Sequence, residues 1–332
     1  MARESPSTDH ESPDERPGRS CPLHYRYQPA DLARAPDFGA ETLYVAGGLY
    51  GNRPALAALV ALAARETAPP VIVFNGDFNW FNVDADGFET VNHEVLRLRA
   101  LRGNVETEIA GEDTAAGCGC GYPEWVNDAE VERSNRILER LRDTARRFPA
   151  IRSRLAALPM HLVAEVGRMH VAIVHGDAHS LAGWDYSQEQ LAHPAHRRRI
   201  ASDFELARAR VIASSHTCLP ALTDCEAASG RCVLINNGAA GMPNFAGTRY
   251  GIVTRISTRP AGRLNALYGT RLGAVHIDAL PLRYDHRRWL AAFSANWPEG
   301  SPAHASYCGR ITDGPSCALA RALPPHGTLA RV

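Results

Sequence analysis

Four polar motifs in this chain each follow a short apolar run, and this arrangement constrains the fold more than any other feature. The motifs contain Asp77, Asn104, His175 and His216. Short apolar runs are typical of buried β-strands, and an α/β protein collects its functional loops at the carboxyl ends of such strands. We therefore expect these four side chains to converge. A carboxylate, an amide oxygen and two imidazoles suit a divalent cation such as Mn, Fe or Zn.

The composition is that of a globular protein without a strongly charged surface. The chain has 332 residues, 45% of them hydrophobic, and a formal net charge of zero. This balance gives no indication of binding to nucleic acid or to an anionic membrane. No apolar stretch is long enough to span a bilayer, and the polar, acidic N-terminus lacks the apolar core of a signal peptide. We therefore expect a cytoplasmic protein, and nothing in the sequence fixes its oligomeric state.

Eight cysteines are scattered along the chain, and we expect them to be reduced thiols. Only Cys118-Gly119-Cys120 is a closely spaced pair. Its spacing is tighter than that of the usual CxxC zinc knuckle, which favours two thiols in a glycine-rich loop. A thiol redox or zinc protein built on this pair is an alternative interpretation.

The order of the expected elements favours a layered α/β sandwich, because strands and helices alternate early and strands dominate later. The expected strands are 42–46, 71–74, 161–166, 170–174, 211–213, 233–235 and 250–256, and the expected helices are 53–64, 86–99 and 124–147. Residues 1–20 are rich in Ser, Pro and charged residues, which predicts a disordered tail. We place one domain at 40–290 and a C-terminal extension at 291–332, which is predicted to be loop-like from Ser301 onward.

The order of the motifs resembles that of the calcineurin-like metallophosphoesterases. That family carries DxH, GDxxD, GNH[DE], a lone His and GHxH in this order. The corresponding segments here are Gly48-Leu49-Tyr50-Gly51-Asn52, Gly76-Asp77-Phe78-Asn79-Trp80, Gly103-Asn104-Val105-Glu106, His175 and Ser215-His216-Thr217-Cys218. The stretch 236–239 also resembles the NPGS sequence that follows in many members. The resemblance covers residues 42–258 and implies an α/β sandwich of two sheets flanked by helices.

The resemblance implies that one of the family's two metal sites is retained. The ligand positions of that site hold Asp77, Asn104, His175 and His216. Each has another interpretation taken alone, since the Asp could cap a turn, the Asn could adopt a left-handed turn and the histidines could be core residues. Their occurrence together and in order favours a metal site.

The ligand positions of the family's other site are largely changed. They hold Gly48, Tyr50, Asp77 and Cys218, so three of the four ligands differ. The sequence therefore predicts a one-metal derivative of a two-metal fold. Metal analysis that finds no metal, or two equivalents per chain, would contradict this prediction.

The family's GNH[DE] histidine, which assists the leaving group or contacts phosphate, is Val105 here. Valine cannot transfer a proton. His179, four residues after His175, and Tyr50 are the candidate catalytic residues that could replace it.

The preferred function is metal-dependent hydrolysis of a phosphate ester in a small phosphorylated substrate. The alternative is a catalytically inactive pseudo-phosphoesterase that binds phosphate, a nucleotide or a protein partner. Loss of one metal site and the valine at position 105 favour the alternative.

Overall fold

Two six-stranded sheets face each other in the computed structural model, which describes residues 16–323. The strands of this part of the chain are β1 Phe38–Ala40, β2 Thr42–Ala46, β3 Val71–Asn75, β4 Arg99–Leu101, β5 His161–Val166, β6 Met169–Val174, β7 Val211–Ser214, β8 Pro220–Ala227, β9 Gly230–Asn237, β10 Gly251–Ser257, β11 Tyr268–Leu272 and β12 Val275–Leu282. One sheet has the order β1-β5-β6-β7-β9-β8 and the other has the order β11-β12-β10-β2-β3-β4.

Each sheet contains a block of three parallel strands. Strands β2, β3 and β4 pair in parallel in one sheet, and β6, β7 and β9 pair in parallel in the other. The carboxyl ends of parallel strands meet at one edge, where functional loops gather. A hydrogen bond joins the edges of the two sheets. The side-chain amide of Asn75, at the end of β3, donates it to the Val174 carbonyl, at the end of β6, over 2.8 Å.

The apolar core lies between the two sheets. It is built from strand residues of both sheets, which include Leu43, Val45, Val73, Leu101, Val171, Ile173, Val211, Ala213, Val233 and Ile235. All five residues of β2 are buried, as expected of a strand that is covered on both faces. The sandwich therefore holds its strand ends in fixed positions.

Helices cover the outer faces of the sandwich. Those of residues 16–323 are α1 Arg53–Ala63, α2 Ala85–Val95, α3 Asn104–Ala110, α4 Asp128–Ala145, α5 Pro149–Ala156, α6 Gln188–Leu191, α7 Pro194–Ala207, α8 His286–Asn296 and α9 Pro302–Asp313. The Asn52 side chain caps α1 by accepting a 2.9 Å hydrogen bond from the Ala55 amide, and Pro54 lies in the first turn. None of these helices combines the length and apolar character that crossing a membrane requires.

The predicted α/β sandwich of two sheets flanked by helices is confirmed. The prediction of a loop from Ser301 onward is wrong for residues 302–313. These residues form α9, which begins after Ser301 with a proline in its first turn. Its amphipathic packing stabilises it against α4, where Arg133 Nε donates a 2.6 Å hydrogen bond to Ser306 Oγ.

The predicted limits of the domain and its terminal segments stay a prediction. Residues 1–15 of the predicted disordered tail lie outside the described residues, and residues 16–20 form a hydrogen-bonded turn. Helix α8 continues across residues 290 and 291, between which the domain and the C-terminal extension are divided in the prediction.

Candidate metal centre

Asp77 lies in a tight left-handed turn immediately after β3. Gly76 has a φ of 73° and Asp77 has a φ of 54°, a conformation that glycine adopts readily and aspartate tolerates. A Cβ on Gly76 would lie 2.5 Å from His175 Nδ1, so a side chain would not fit there. The turn brings Asp77 Oδ1 to 3.3 Å from His175 Nε2, and the Val105 amide donates a 3.2 Å hydrogen bond to the same oxygen.

Asn104 presents its amide oxygen from the first turn of α3, just after β4. Its Oδ1 lies 3.3 Å from His175 Nε2. Its Nδ2 donates a 3.0 Å hydrogen bond to the Cys118 carbonyl. Because the amide nitrogen is held away, the oxygen faces the imidazole and is free to bind a cation.

His175 follows β6 directly and is fully buried. Its Nδ1 donates a 2.8 Å hydrogen bond to the Asn75 carbonyl, which leaves the lone pair of Nε2 directed into the site. Burial alone lowers the pKa of this imidazole, but the Asp77 carboxylate outweighs burial, so the pKa is raised. Asp77 shows the reciprocal effect, because burial raises its pKa and the charge on His175 lowers it to below its ordinary value.

His216 follows β7 and has the opposite ring orientation. Its Nε2 donates a 2.9 Å hydrogen bond to the Cys120 carbonyl, and its Nδ1 lies 3.2 Å from His175 Nε2. Burial and the neighbouring His175 lower the pKa of His216 to about 4, so this imidazole is neutral at physiological pH. Both histidines therefore turn an acceptor lone pair toward the same point.

These four residues fit a divalent cation. The ligand atoms of Asp77, His175 and His216 all lie within 4.8 Å of one another. Two ligands about 2.0–2.1 Å from a tetrahedral zinc ion are separated by about 3.3–3.4 Å. The contacts of 3.2–3.3 Å around His175 Nε2 match that separation. The facing His175 Nε2 and His216 Nδ1 need a proton or a cation between them, and a divalent cation meets that need.

Glu106 holds the turn that carries Asp77, and the sequence reasoning assigned it no role. Its carboxylate accepts hydrogen bonds from the backbone amides of Asp77 at 2.7 Å, Phe78 at 3.0 Å and Gly103 at 3.1 Å. Burial and the nearby Asp77 raise the pKa of Glu106 to about 7. The fourth position of the GNH[DE] motif could have identified this residue.

The loop with the two close cysteines orients the ligands through its backbone. The Cys118 carbonyl accepts from Asn104, and the Cys120 carbonyl accepts from both His216 and Trp184 Nε1, the latter at 2.9 Å. Backbone carbonyls have no residue-type pattern, so the sequence could not reveal this role. Within residues 16–323, neither thiol belongs to the group of His, Cys and acidic side chains that could hold a metal.

The two candidate catalytic residues lie in different places. Tyr50 lines the cavity next to Asp77, and its hydroxyl lies 2.9 Å from Cys218 Sγ. His179 is not among the described residues that line this cavity. Its Nε2 instead lies 2.8 Å from Asp203 Oδ1, on α7. Among the described residues, the cavity lining beside the candidate ligands therefore includes Tyr50 and does not include His179.

The cavity beside the four donors is small and mostly aromatic. Its volume is about 40 Å³, space for an ion with about two or three waters. Its walls include Trp80, Tyr122, Trp184 and Tyr307. Trp184 contacts His216 edge-on, with ring centroids 5.4 Å apart. The last wall residue, Tyr307, comes from α9, so the C-terminal helix is part of the site.

The comparisons with known proteins identify the fold. No protein-family model and no curated protein matches the sequence. Among solved structures, a metallophosphoesterase from Sphaerobacter thermophilus is similar at 18% identity and a TM-score of 0.51, over 83% of this chain and 100% of that chain. A hypothetical protein from Pyrococcus horikoshii is similar at 16% identity and a TM-score of 0.54, over 84% and 100%. The chain has the metallophosphoesterase fold, and the resemblance inferred from its motifs is confirmed at that level.

Proposed function

We propose that this protein is a metal-dependent phosphoesterase that hydrolyses a phosphate ester at a single divalent cation. The observation that carries the proposal is the approach of Asp77 Oδ1, Asn104 Oδ1 and His216 Nδ1 to within 3.2–3.3 Å of His175 Nε2. The fold supports the reaction class but does not by itself establish activity. A cation such as Mn, Fe or Zn would supply Lewis-acid chemistry there, by polarising a phosphoryl oxygen and activating water.

The chain's own residues orient the donors and exclude solvent. The carbonyls of Asn75 and Cys120 hold the two imidazoles so that each presents a lone pair to the site. The aromatic walls lower the local dielectric constant, which strengthens the attraction between the site and a developing negative charge. Both effects favour hydrolysis at this position.

Tyr50 is the group that we assign to protonation of the leaving oxygen. Its hydroxyl lines the cavity, and burial raises its pKa well above the ordinary value. A phenol that stays protonated can donate a hydrogen bond or a proton to a leaving oxygen, but it is a poor base. His179 stays a weaker candidate, because its imidazole is bonded to Asp203.

Elemental analysis and ester hydrolysis with added Mn test the proposal together. The purified protein should hold one equivalent of metal per chain, and Asp77→Asn and His216→Ala should each lose both metal and hydrolysis. Tyr50→Phe should keep the metal and slow hydrolysis by about 10²-fold. The control His276→Ala, on β12 and outside the cavity lining, should match the wild type. No bound metal, two equivalents of metal, or equal background hydrolysis in all variants would refute the proposal.

Binding without turnover is the second candidate function. One observation favours it, because Val105 lines the cavity at the position of the motif histidine and adds no protic group there. One equivalent of metal, together with no hydrolysis of any monoester or diester, would support this candidate. Hydrolysis that the ligand substitutions abolish would refute it.

A further inference from the structure

The side chains around the metal centre offer little positive charge to a substrate. Among the described residues 16–323, those that line the cavity include the Asp77 carboxylate and no Lys or Arg. Arg310 lies behind Cys218, but its guanidinium donates to the backbone carbonyls of Cys218 at 2.5 Å and Pro243 at 3.3 Å. A bound anion would therefore find no cationic hydrogen-bond donor in the cavity wall, and Arg310 would act on it only through space.

With a divalent cation in place, the centre carries at most one net positive charge. Asp77 contributes one negative charge, whereas Asn104 and the two neutral imidazoles contribute none. The Glu106 carboxyl beneath Asp77 can only lower this total. The cation and its donors therefore balance one negative charge by direct contact, and a second would face only the Arg310 guanidinium behind Cys218.

The aromatic walls increase the effect of the difference between one and two negative charges on the ligand. Trp80, Tyr122, Trp184 and Tyr307 cannot solvate a second negative charge as water or an arginine would. A phosphomonoester carries between one and a half and two negative charges near pH 7, because its second pKa is about 6. A phosphodiester carries one, and its second ester group is an apolar surface where the monoester has a charged oxygen.

An aromatic surface also lies next to the cavity. Trp125 is about half exposed and packs edge-on against Trp184, with ring centroids 6.5 Å apart. Trp184 lies in turn against His216. The second substituent of a diester can pack against these two rings.

We propose that the site selects phosphodiester monoanions over phosphomonoester dianions. This inference rests on the proposed function and names the substrate class of the same site. The basis is the charge of the donors, the lack of a cationic hydrogen-bond donor in the cavity lining, and the aromatic surface beside it.

Two esters that share the same leaving group, 4-nitrophenolate, test the inference. The probes are 4-nitrophenyl phosphate and methyl 4-nitrophenyl phosphate, assayed at pH 8 with Mn-loaded protein. The diester should have the higher kcat/KM by at least about 10-fold. Calorimetry gives a readout that does not depend on turnover, and dimethyl phosphate should bind at least about 10-fold more tightly than methyl phosphate.

A change of charge at the rim of the cavity sharpens the test. Tyr307 is half buried on α9, so lysine and glutamine can both replace it there. Tyr307→Lys should shift both preferences toward the dianion by at least about 10-fold, while the matched neutral variant Tyr307→Gln should not. Equal shifts in the two variants, or a wild-type preference for the monoester, would overturn this inference alone. Failure to hydrolyse or bind either ester would overturn the proposed function and this inference with it.

Discussion

Replacing Gly103 with alanine should disable the metal centre without straining the backbone. Gly103 precedes α3 with a φ of −92° and a ψ of −173°, which alanine adopts without penalty. A Cβ at this position would overlap Asp77 Oδ1, and it would lie 2.8 Å from the Asp77 nitrogen and 2.9 Å from His175 Cε1. The substitution therefore acts by displacing a ligand.

The size of the effect follows from these contacts. A methyl carbon and an oxygen need about 3.4 Å between them, so Asp77 Oδ1 must move by about 1 Å. Loss of that donor should weaken metal binding by at least about 100-fold, the upper end of the losses seen when a residue that only supports a ligand is changed. Overpacking should lower the unfolding free energy by about 1–3 kcal/mol. Alanine also restricts the unfolded chain, which offsets about 0.4–1 kcal/mol of that loss.

Metal titration against a chromophoric chelator measures the affinity, and urea unfolding in chelator-treated buffer measures the stability. Gly309→Ala is the matched control, because a Cβ there meets nothing within 4 Å and the position lies inside α9. The unfolding free energy of that control should rise by about 0.5–1 kcal/mol, and its metal affinity should equal that of the wild type. Wild-type metal affinity in Gly103→Ala would refute the assignment of Asp77 as a ligand.

Two further substitutions test residues outside the donor set. His179→Ala should leave metal content and turnover unchanged. It should lower the unfolding free energy, because the contact of the imidazole with Asp203 is lost. A large fall in turnover of the folded variant would instead place His179 in the mechanism. Burial and the nearby Asp185 raise the pKa of Asp177 to about 6, so its folded state holds the proton more tightly than the unfolded chain does. The contribution of Asp177 to unfolding free energy should fall by about 2–3 kcal/mol as the pH rises from 4 to 7. Urea unfolding of Asp177→Asn at pH 4 and pH 7 should lack this fall in unfolding free energy. If the variant differs from the wild type by the same unfolding free energy at both pH values, the prediction is wrong.

The four candidate ligands could be predicted from the sequence because each has a local pattern. Asp77, Asn104, His175 and His216 all follow buried strands, and parallel strands bring their carboxyl ends to one edge. Their convergence depends only on strand order and chain direction. The sandwich enforces both.

Other parts of the site could not be predicted because they depend on contacts between distant segments. The carbonyls that orient Asn104 and His216 belong to a loop whose path no residue pattern specifies. Ser301 and Pro302 form an ordinary start for helix α9, but the proline, glycine and cysteine content of that stretch is also typical of a loop. Without α9 the sequence could not place Tyr307 in the cavity wall.

The packing around Tyr50 gives a physical reason for a single cation. Gly48 has a φ of 65°, and a Cβ there would lie 2.7–2.9 Å from the Tyr50 ring and hydroxyl, so a carboxylate at position 48 and this tyrosine exclude each other. The Tyr50 hydroxyl is in turn bonded to Cys218 Sγ at 2.9 Å. The three residues that depart from the resembled ligand pattern thus form one packed unit. Restoring a second cation would require all three to change together, which supports the proposed one-metal centre over an accidental loss of a single ligand.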